Sequence, residues 1–207
     1  MYYHERASNL TLLPHSKVRE SNKLHAPILK KRGEVLKKID GFWAQALMNM
    51  MTIHIYLENA DIEALAYLTD FSIERTGEDG DPRPAKFNFT FAKNPYFSDT
   101  TLTKEFKLRS DAPSLKADYD YIQEVVPVKT QINWIDDEHN LAKKNPQKGG
   151  QEDDDFEPGS FFSCFFESEK MEVAGPIAMG LQDDFYPNAV EAYTGKYDGS
   201  VESEEED

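Results

Sequence analysis

AKFNFTFAKNPYFSDTTLTKEFKL, residues 85–108, decides the fold. Phe87, Phe89 and Phe91 recur at every second position, Asn94-Pro95 interrupts the run, and Leu102, Lys104, Phe106 and Leu108 resume it. A period of two marks a strand with one buried face, and two such runs across a short break read as an antiparallel pair. A two-stranded pair is marginal alone, and a row of exposed phenylalanines would template aggregation, so the Phe face needs a cover. Helical stretches on both sides supply it. The expected class is α+β, a sheet packed on helices.

On the N-terminal side, residues 68–75 (LTDFSIER) set Phe71 and Ile73 against Asp70 and Ser72 and read as the first strand, followed by a Gly/Pro/Asp loop at 77–84. Before them, Asn59-Ala60-Asp61 offers a helix cap. Residues 42–57 are too apolar for an exposed helix and read as two short buried helices, with methionines as core filler. His54 has no second ligand at metal spacing. Residues 17–39 form an amphipathic helix that Pro27 is expected to kink or restart and Gly33 to weaken. Its run of Lys30, Lys31, Arg32, Lys37 and Lys38 reads first as a solvated face and second as a nuclear-import or nucleic-acid patch. Residues 1–16 show no usable period and read as a ragged terminus.

On the C-terminal side, residues 110–121 are loop. A last strand is expected at 129–134, because Pro127 would remove a ladder hydrogen bond from anything earlier. Asp136-Asp137-Glu138-His139 then turns the chain out into a loop at 143–155. Gly159 or Ser160 caps a short helix whose Phe161, Phe162, Phe165 and Phe166 recur at i, i+1, i+4 and i+5, a stripe that buries against the sheet. Cys164, the one cysteine, reads as a small buried hydrophobe. Val173, Ile177, Met179, Leu181 and Phe185 make the next helix, ended at Pro187. Asp183-Asp184 sits near its C-terminal end, where the helix dipole gives carboxylates no support, so solvent or a partner explains their place. From Gly195 the tail has a disordered composition.

The 207 residues fit one domain with a real core, yet the net charge is −15. The acid is graded along the chain: residues 1–50 carry net +5, 51–150 net −5 and 151–207 net −15. Such a gradient favours a basic macromolecular partner and disfavours nucleic acid or an anionic membrane as the ligand of the C-terminal part. The sequence shows no secretory leader, no transmembrane stretch, no phosphate-binding glycine loop, no nucleophile elbow and no His-Glu metal pair. Carboxylates abound, but in charge runs that keep them solvated rather than tuned for catalysis. No enzyme and no cofactor are expected.

Several segments together carry a resemblance. Residues 31–39 followed by Gly41-Phe42-Trp43 resemble the end of the long helix of the nucleosome assembly protein family, and residues 89–106 resemble its most characteristic stretch. Gln131-Ile132-Asn133-Trp134 is similar to its next strand. Ser160-Phe161-Phe162 and Asp183-Asp184-Phe185-Tyr186-Pro187-Asn188 are similar to its closing helices. The SET/TAF-I type of histone chaperone is the branch resembled, over about residues 17–193.

The resemblance implies a homodimer joined by antiparallel helices, with one earmuff domain per protomer built on a four-stranded antiparallel sheet. It divides the chain into a ragged terminus (1–16), a shortened dimerisation helix (17–40), the earmuff (41–193) and an acidic disordered tail (194–207). Val18, His25, Ile28, Leu29, Val35 and Leu36 would join the dimer. Core histones would bind Asp136, Asp137, Glu138, Asp183 and Asp184, then Glu202, Glu204, Glu205, Glu206 and Asp207 of the tail. The implied function is histone chaperoning in nucleosome assembly, in the nucleus with shuttling to the cytoplasm and without sequence-specific nucleic acid or membrane binding. The alternative is an acidic regulator that inhibits a phosphatase, or masks histones from, or partners, a histone acetyltransferase.

Overall fold

The computed structural model describes residues 15–116, 119–149, 157 and 159–197. Helix α1 (His15–Leu36) leads, through a turn at Gly41 with φ +71°, into α2 (Phe42–Met48), α3 (Met51–His54) and α4 (Asn59–Leu65). Strands β1 (Leu68–Arg75), β2 (Ala85–Phe91) and β3 (Thr101–Leu108) follow, then α5 (Tyr121–Glu124) and β4 (Val125–Val128). The chain closes with α6 (Leu141–Lys144), a π-helical turn (Phe162–Glu167), α7 (Met171–Met179), a second π-helical turn (Gly180–Phe185) and α8 (Ala189–Tyr193).

The four strands lie in sequence order and every pairing is antiparallel. Phe71 opposes Phe89, Phe89 opposes Leu102, and Ala85 opposes Phe106, so the period-two residues form one apolar face. The π-turn covers it. Phe165 meets Phe87 at 5.9 Å and Phe166 meets Phe89 at 5.2 Å, while Trp43 of α2 and Phe185 close over Phe71 at 5.8 and 5.4 Å. Such edge-to-face packing adds a modest term to a large burial of aromatic area. The break at Asn94-Pro95 is an Asx turn: the Asn94 Oδ1 accepts hydrogen bonds from the amides of Tyr96 and Phe97 at 2.9 and 3.0 Å.

The last strand is β4, Val125–Val128, and includes Pro127; the expected strand at 129–134 is not one. Since β4 is an edge with only β3 beside it, Pro127 can stand opposite Phe106 with its missing donor turned away from the ladder. Residues 133–135 pair instead with the Asx turn, through an isolated bridge between Phe97 and Trp134.

Other elements also depart from the sequence reading. Helix α1 runs unbroken through Pro27, because proline removes a single donor and the flanking surface is exposed, leaving water to satisfy the freed carbonyl. The aromatic stripe winds as a π-turn rather than an α-helix. That winding brings i, i+4 and i+5 together: Phe161 stacks on Phe165 at 5.3 Å and also meets Phe166 at 5.7 Å. Met51 and Ile55 point outward, 72% and 63% exposed, because α3 is one turn long and buries Ile53 alone. Residues 1–14 and 198–207 lie outside the described residues.

Candidate functional site

Asp136, Asp137 and Glu138 stand together on the loop after Trp134, all exposed. The loop is pinned from below. The Ser98 amide donates to the Asn133 carbonyl at 2.9 Å, the Ile135 amide donates to the Tyr96 carbonyl at 2.9 Å, and Asp99 accepts from the Asn133 amide at 2.7 Å. Asp136 accepts the His139 amide at 2.8 Å and lies 2.7 Å from its ring Nδ1, contacts that hold its carboxyl below the usual range. Asp137 meets the Lys143 ammonium at 2.5 Å.

Tyr96 supports the same surface. Its ring sits edge-on to His139 at 5.9 Å, and its hydroxyl donates to Glu63 of α4 at 3.0 Å. Burial and that carboxylate push the phenol up to about 12. Glu63 therefore joins the acidic loop from 73 residues earlier in the chain, and exposed Ile135 adds apolar area beside it. No local pattern marks Glu63 in the sequence, since only the fold brings α4 to the Asx turn.

Asp183 and Asp184 occupy a different corner. Arg75, at the end of β1, donates to Gln182 Oε1 at 2.8 Å and so faces the second π-turn. Asp183 keeps an exposed surface, yet the protein crowded around it raises its pKa against the opposing charge of Arg75. Asp184 is half-buried and tied inward: it accepts from Thr52 of α3 at 3.1 Å and from the hydroxyl of Tyr197. Arg75 pairs with Ala85 at one end of β2, whereas the Asx turn under Asp136 follows Phe91 at the other. At about 3.3 Å per residue, β2 puts roughly 20 Å between the two acidic groups. They are two sites on one body.

Helix α1 presents three faces. Leu36 is buried against the body and Leu29 packs on its core, while the Arg32 guanidinium donates to the Pro187 carbonyl at 2.9 Å and lies over the Tyr186 ring. A second face, Leu24, Ile28 and Val35, is 63%, 61% and 60% exposed. Their spacing of four and seven residues makes one stripe. The third face carries exposed Lys23 and Lys30, with Lys31 at its edge. His25 is exposed, and the Val18 side chain lies outside the described residues. Leu24, exposed on this stripe, was not among the residues that the sequence resemblance offered for a dimer.

Two further buried polar groups are structural. Arg83, 2% exposed, bonds Asp81 and Glu124. Burial pushes the Cys164 thiol up, away from nucleophilic chemistry. Among the described residues no His/Cys/Asp/Glu group could hold a metal ion, and no helix is long and apolar enough to cross a membrane.

Residues 6–196 match the family described as Nucleosome assembly protein (NAP). The chain belongs to the nucleosome assembly protein family. It is 32% identical over 188 residues to Protein SET of Drosophila melanogaster, covering 89% of this chain and 66% of that protein. It is 30% identical to human Protein SETSIP, covering 83% of this chain and 55% of the relative. The chain thus spans less than two thirds of the length of these relatives. A crystal structure of a malaria parasite Nucleosome Assembly Protein aligns with a TM-score of 0.58 at 26% identity, over 86% of this chain and 81% of that one. A leading helix followed by a four-stranded antiparallel sheet packed on helices is the nucleosome assembly protein fold, as the sequence resemblance implied.

Proposed function

We propose that this protein is a histone chaperone that binds core histones through acidic surfaces and serves nucleosome assembly or histone transfer. The observation that carries this reading is the match over residues 6–196 to a family named for nucleosome assembly. The chemistry agrees with it. An acidic protein of net charge −15 competes with DNA phosphates for histone lysines and arginines and yields them when DNA offers a denser array.

Within the body, the Asp136-Asp137-Glu138 loop is the primary contact. Its carboxylates are at the surface, and their links to His139 and Lys143 are exposed and weakly held, so a histone arginine can displace them. Asp183 is a secondary contact at the opposite end of the sheet. Asp184 contributes least, because its oxygens already bond Thr52 and Tyr197. The tail carboxylates Glu202, Glu204, Glu205, Glu206 and Asp207 extend the acidic surface beyond the described residues.

The same reading divides the chain into a helix for dimerisation (17–40), a histone-binding body (41–193) and an acidic tail (194–207). The homodimer forms through Leu24, Ile28 and Val35, an apolar stripe that its own body leaves uncovered. The location is nuclear, with shuttling to the cytoplasm. A histone acetyltransferase acting on the carried histones is the second partner this reading admits.

Fluorescence titration of labelled core histones at about 0.15 M salt tests the site. Asp136→Lys/Asp137→Lys/Glu138→Lys should weaken binding at least tenfold with an unchanged circular dichroism spectrum, and more than Asp183→Lys does. Equal affinity of the triple variant and wild type overturns the loop assignment, and a wild type that binds no histone overturns the chaperone reading.

A further inference from the structure

The lysine face of α1 is a basic surface on an otherwise acidic protein. Lys23, Lys30, Lys31, Lys37 and Lys38 are all exposed along α1 and the turn that follows it. Glu34 sits among them, in the fields of Lys37, Lys30 and Lys38, and bonds Lys37 at 2.9 Å. One carboxylate among several ammonium groups leaves the face with a positive surplus. Arg32, on another side of the helix, is already engaged with the body.

The described chain ends in the turn after α8, a helix whose entry is held by Arg32 of α1. The amide of Tyr197 donates to the Glu191 carbonyl at 3.3 Å, and the Glu191 carboxylate acts on the Arg32 guanidinium. Arg32 in turn donates to Pro187, at the start of the turn into α8. Ten residues follow Tyr197, DGSVESEEED, with Asp198, Glu202, Glu204, Glu205, Glu206 and Asp207 and no cation. At about 3.3–3.6 Å per residue they span up to roughly 35 Å. Helix α1, at 1.5 Å per residue, is about 33 Å long. The segment is therefore about as long as the helix and can run along the face.

We propose that the acidic segment 198–207 docks on the lysine face of α1, so that the tail and the helix mask each other's charge. Single lysine–carboxylate pairs at a surface are weak, but tethering a few residues away holds the segment at high local concentration, and several pairs form together. The contact is electrostatic and yields to a partner with denser charge. It does not depend on the chaperone reading, because it needs only this chain.

Zero-length carbodiimide cross-linking of the full chain, read by peptide mass spectrometry, tests the contact. Links from Glu202, Glu204, Glu205 or Glu206 to Lys23, Lys30, Lys31, Lys37 or Lys38 are expected at about 0.05 M salt, falling at least fivefold at about 0.5 M as screening shortens. Links from the tail that go chiefly to Lys143, Lys144, Lys148 or Lys170, or no links, overturn the proposal. A fluorescent DNA duplex probes the competing occupant. The variant E202Q/E204Q/E205Q/E206Q/D207N should bind it at least fivefold more tightly than wild type, whereas equal binding by both chains would show a face open to nucleic acid and unmasked by the tail.

Discussion

Lys104 occupies an apolar position of β3, in register with Phe87 and two residues from Phe106, and is 0% exposed. Its ammonium donates to three backbone carbonyls, those of Val128, Phe166 and Ser168, at 2.9, 3.2 and 2.6 Å. It thereby ties β3 to β4 and to the end of the first π-turn. Every proton has an acceptor, but no carboxylate among the described residues bonds it, and burial lowers its pKa to about 7 against opposition from Glu169 and Cys164. An unfolded lysine titrates near 10.4, so between pH 7 and that value the unfolded chain binds more protons than the folded one. Stability then rises with pH through this window, by at most about 1.4 kcal/mol per pH unit. Urea denaturation at pH 6.5 and 8.5 should show the gain in wild type and its loss in Lys104→Met; parallel profiles for the two proteins would refute the assignment. The sequence displayed this lysine in the buried phase of a strand, but not why a charge could sit there, because its acceptors come from residues 24, 62 and 64 positions away. Asp61 poses the same problem: the cap expected at residues 59–61 is Glu58, and Asp61 stands inside α4, where it accepts from the Glu58 amide and also from the Ser160 hydroxyl and the Phe161 amide across the core.

At the scale of elements, the sheet was legible where its period was clean. Phe87, Phe89, Leu102 and Phe106 are all buried to within 1% exposure, on the face their spacing assigned. Phe89→Ala or Phe106→Ala should each cost roughly 3–5 kcal/mol in equilibrium unfolding, since either leaves a large cavity under rings that cannot collapse into it. A loss below about 1 kcal/mol would mean that the face is not packed as described. The edge strand was misplaced for an identifiable reason. The cost of a proline in a ladder assumes a neighbour on both sides, and β4 has only one. The aromatic stripe was legible as a buried surface but not as a π-turn, because i, i+1, i+4 and i+5 fit one face of either winding. Gly159 completes that entry: its φ is +72°, and a Cβ there would stand 2.6 Å from the Asn145 carbonyl. The acidic pairs were visible as charge, but the strand length that separates them was not, nor was the engagement of Asp184 by Thr52 from 132 residues earlier.

The molecule as a whole presents two unsatisfied features, an exposed apolar stripe on α1 and a large negative charge, and they act at different ranges. Burial of Leu24, Ile28 and Val35 against a second copy would be driven by the hydrophobic effect, which salt does not screen. The proposed attraction of histones to its carboxylates is screened over about 8 Å at physiological ionic strength. The two can therefore be separated by salt. Light scattering of the wild type should give a mass near twice 23.7 kDa at both about 0.15 M and about 0.5 M salt, while histone loading falls between those conditions. Ile28→Asp places a charge in the middle of the stripe and should give the single-chain mass of 23.7 kDa with the body's circular dichroism intact, because Ile28 is 61% exposed and contributes little to its own fold. A dimer that survives Ile28→Asp would move the interface elsewhere, with exposed Met51 of α3 and Ile55 just after it the next surface to change. If the monomer keeps its histones at the lower salt and sheds them at the higher, the acidic body binds through charge alone. Retention at the higher salt by the dimer only would assign to dimerisation a binding surface that one body cannot form.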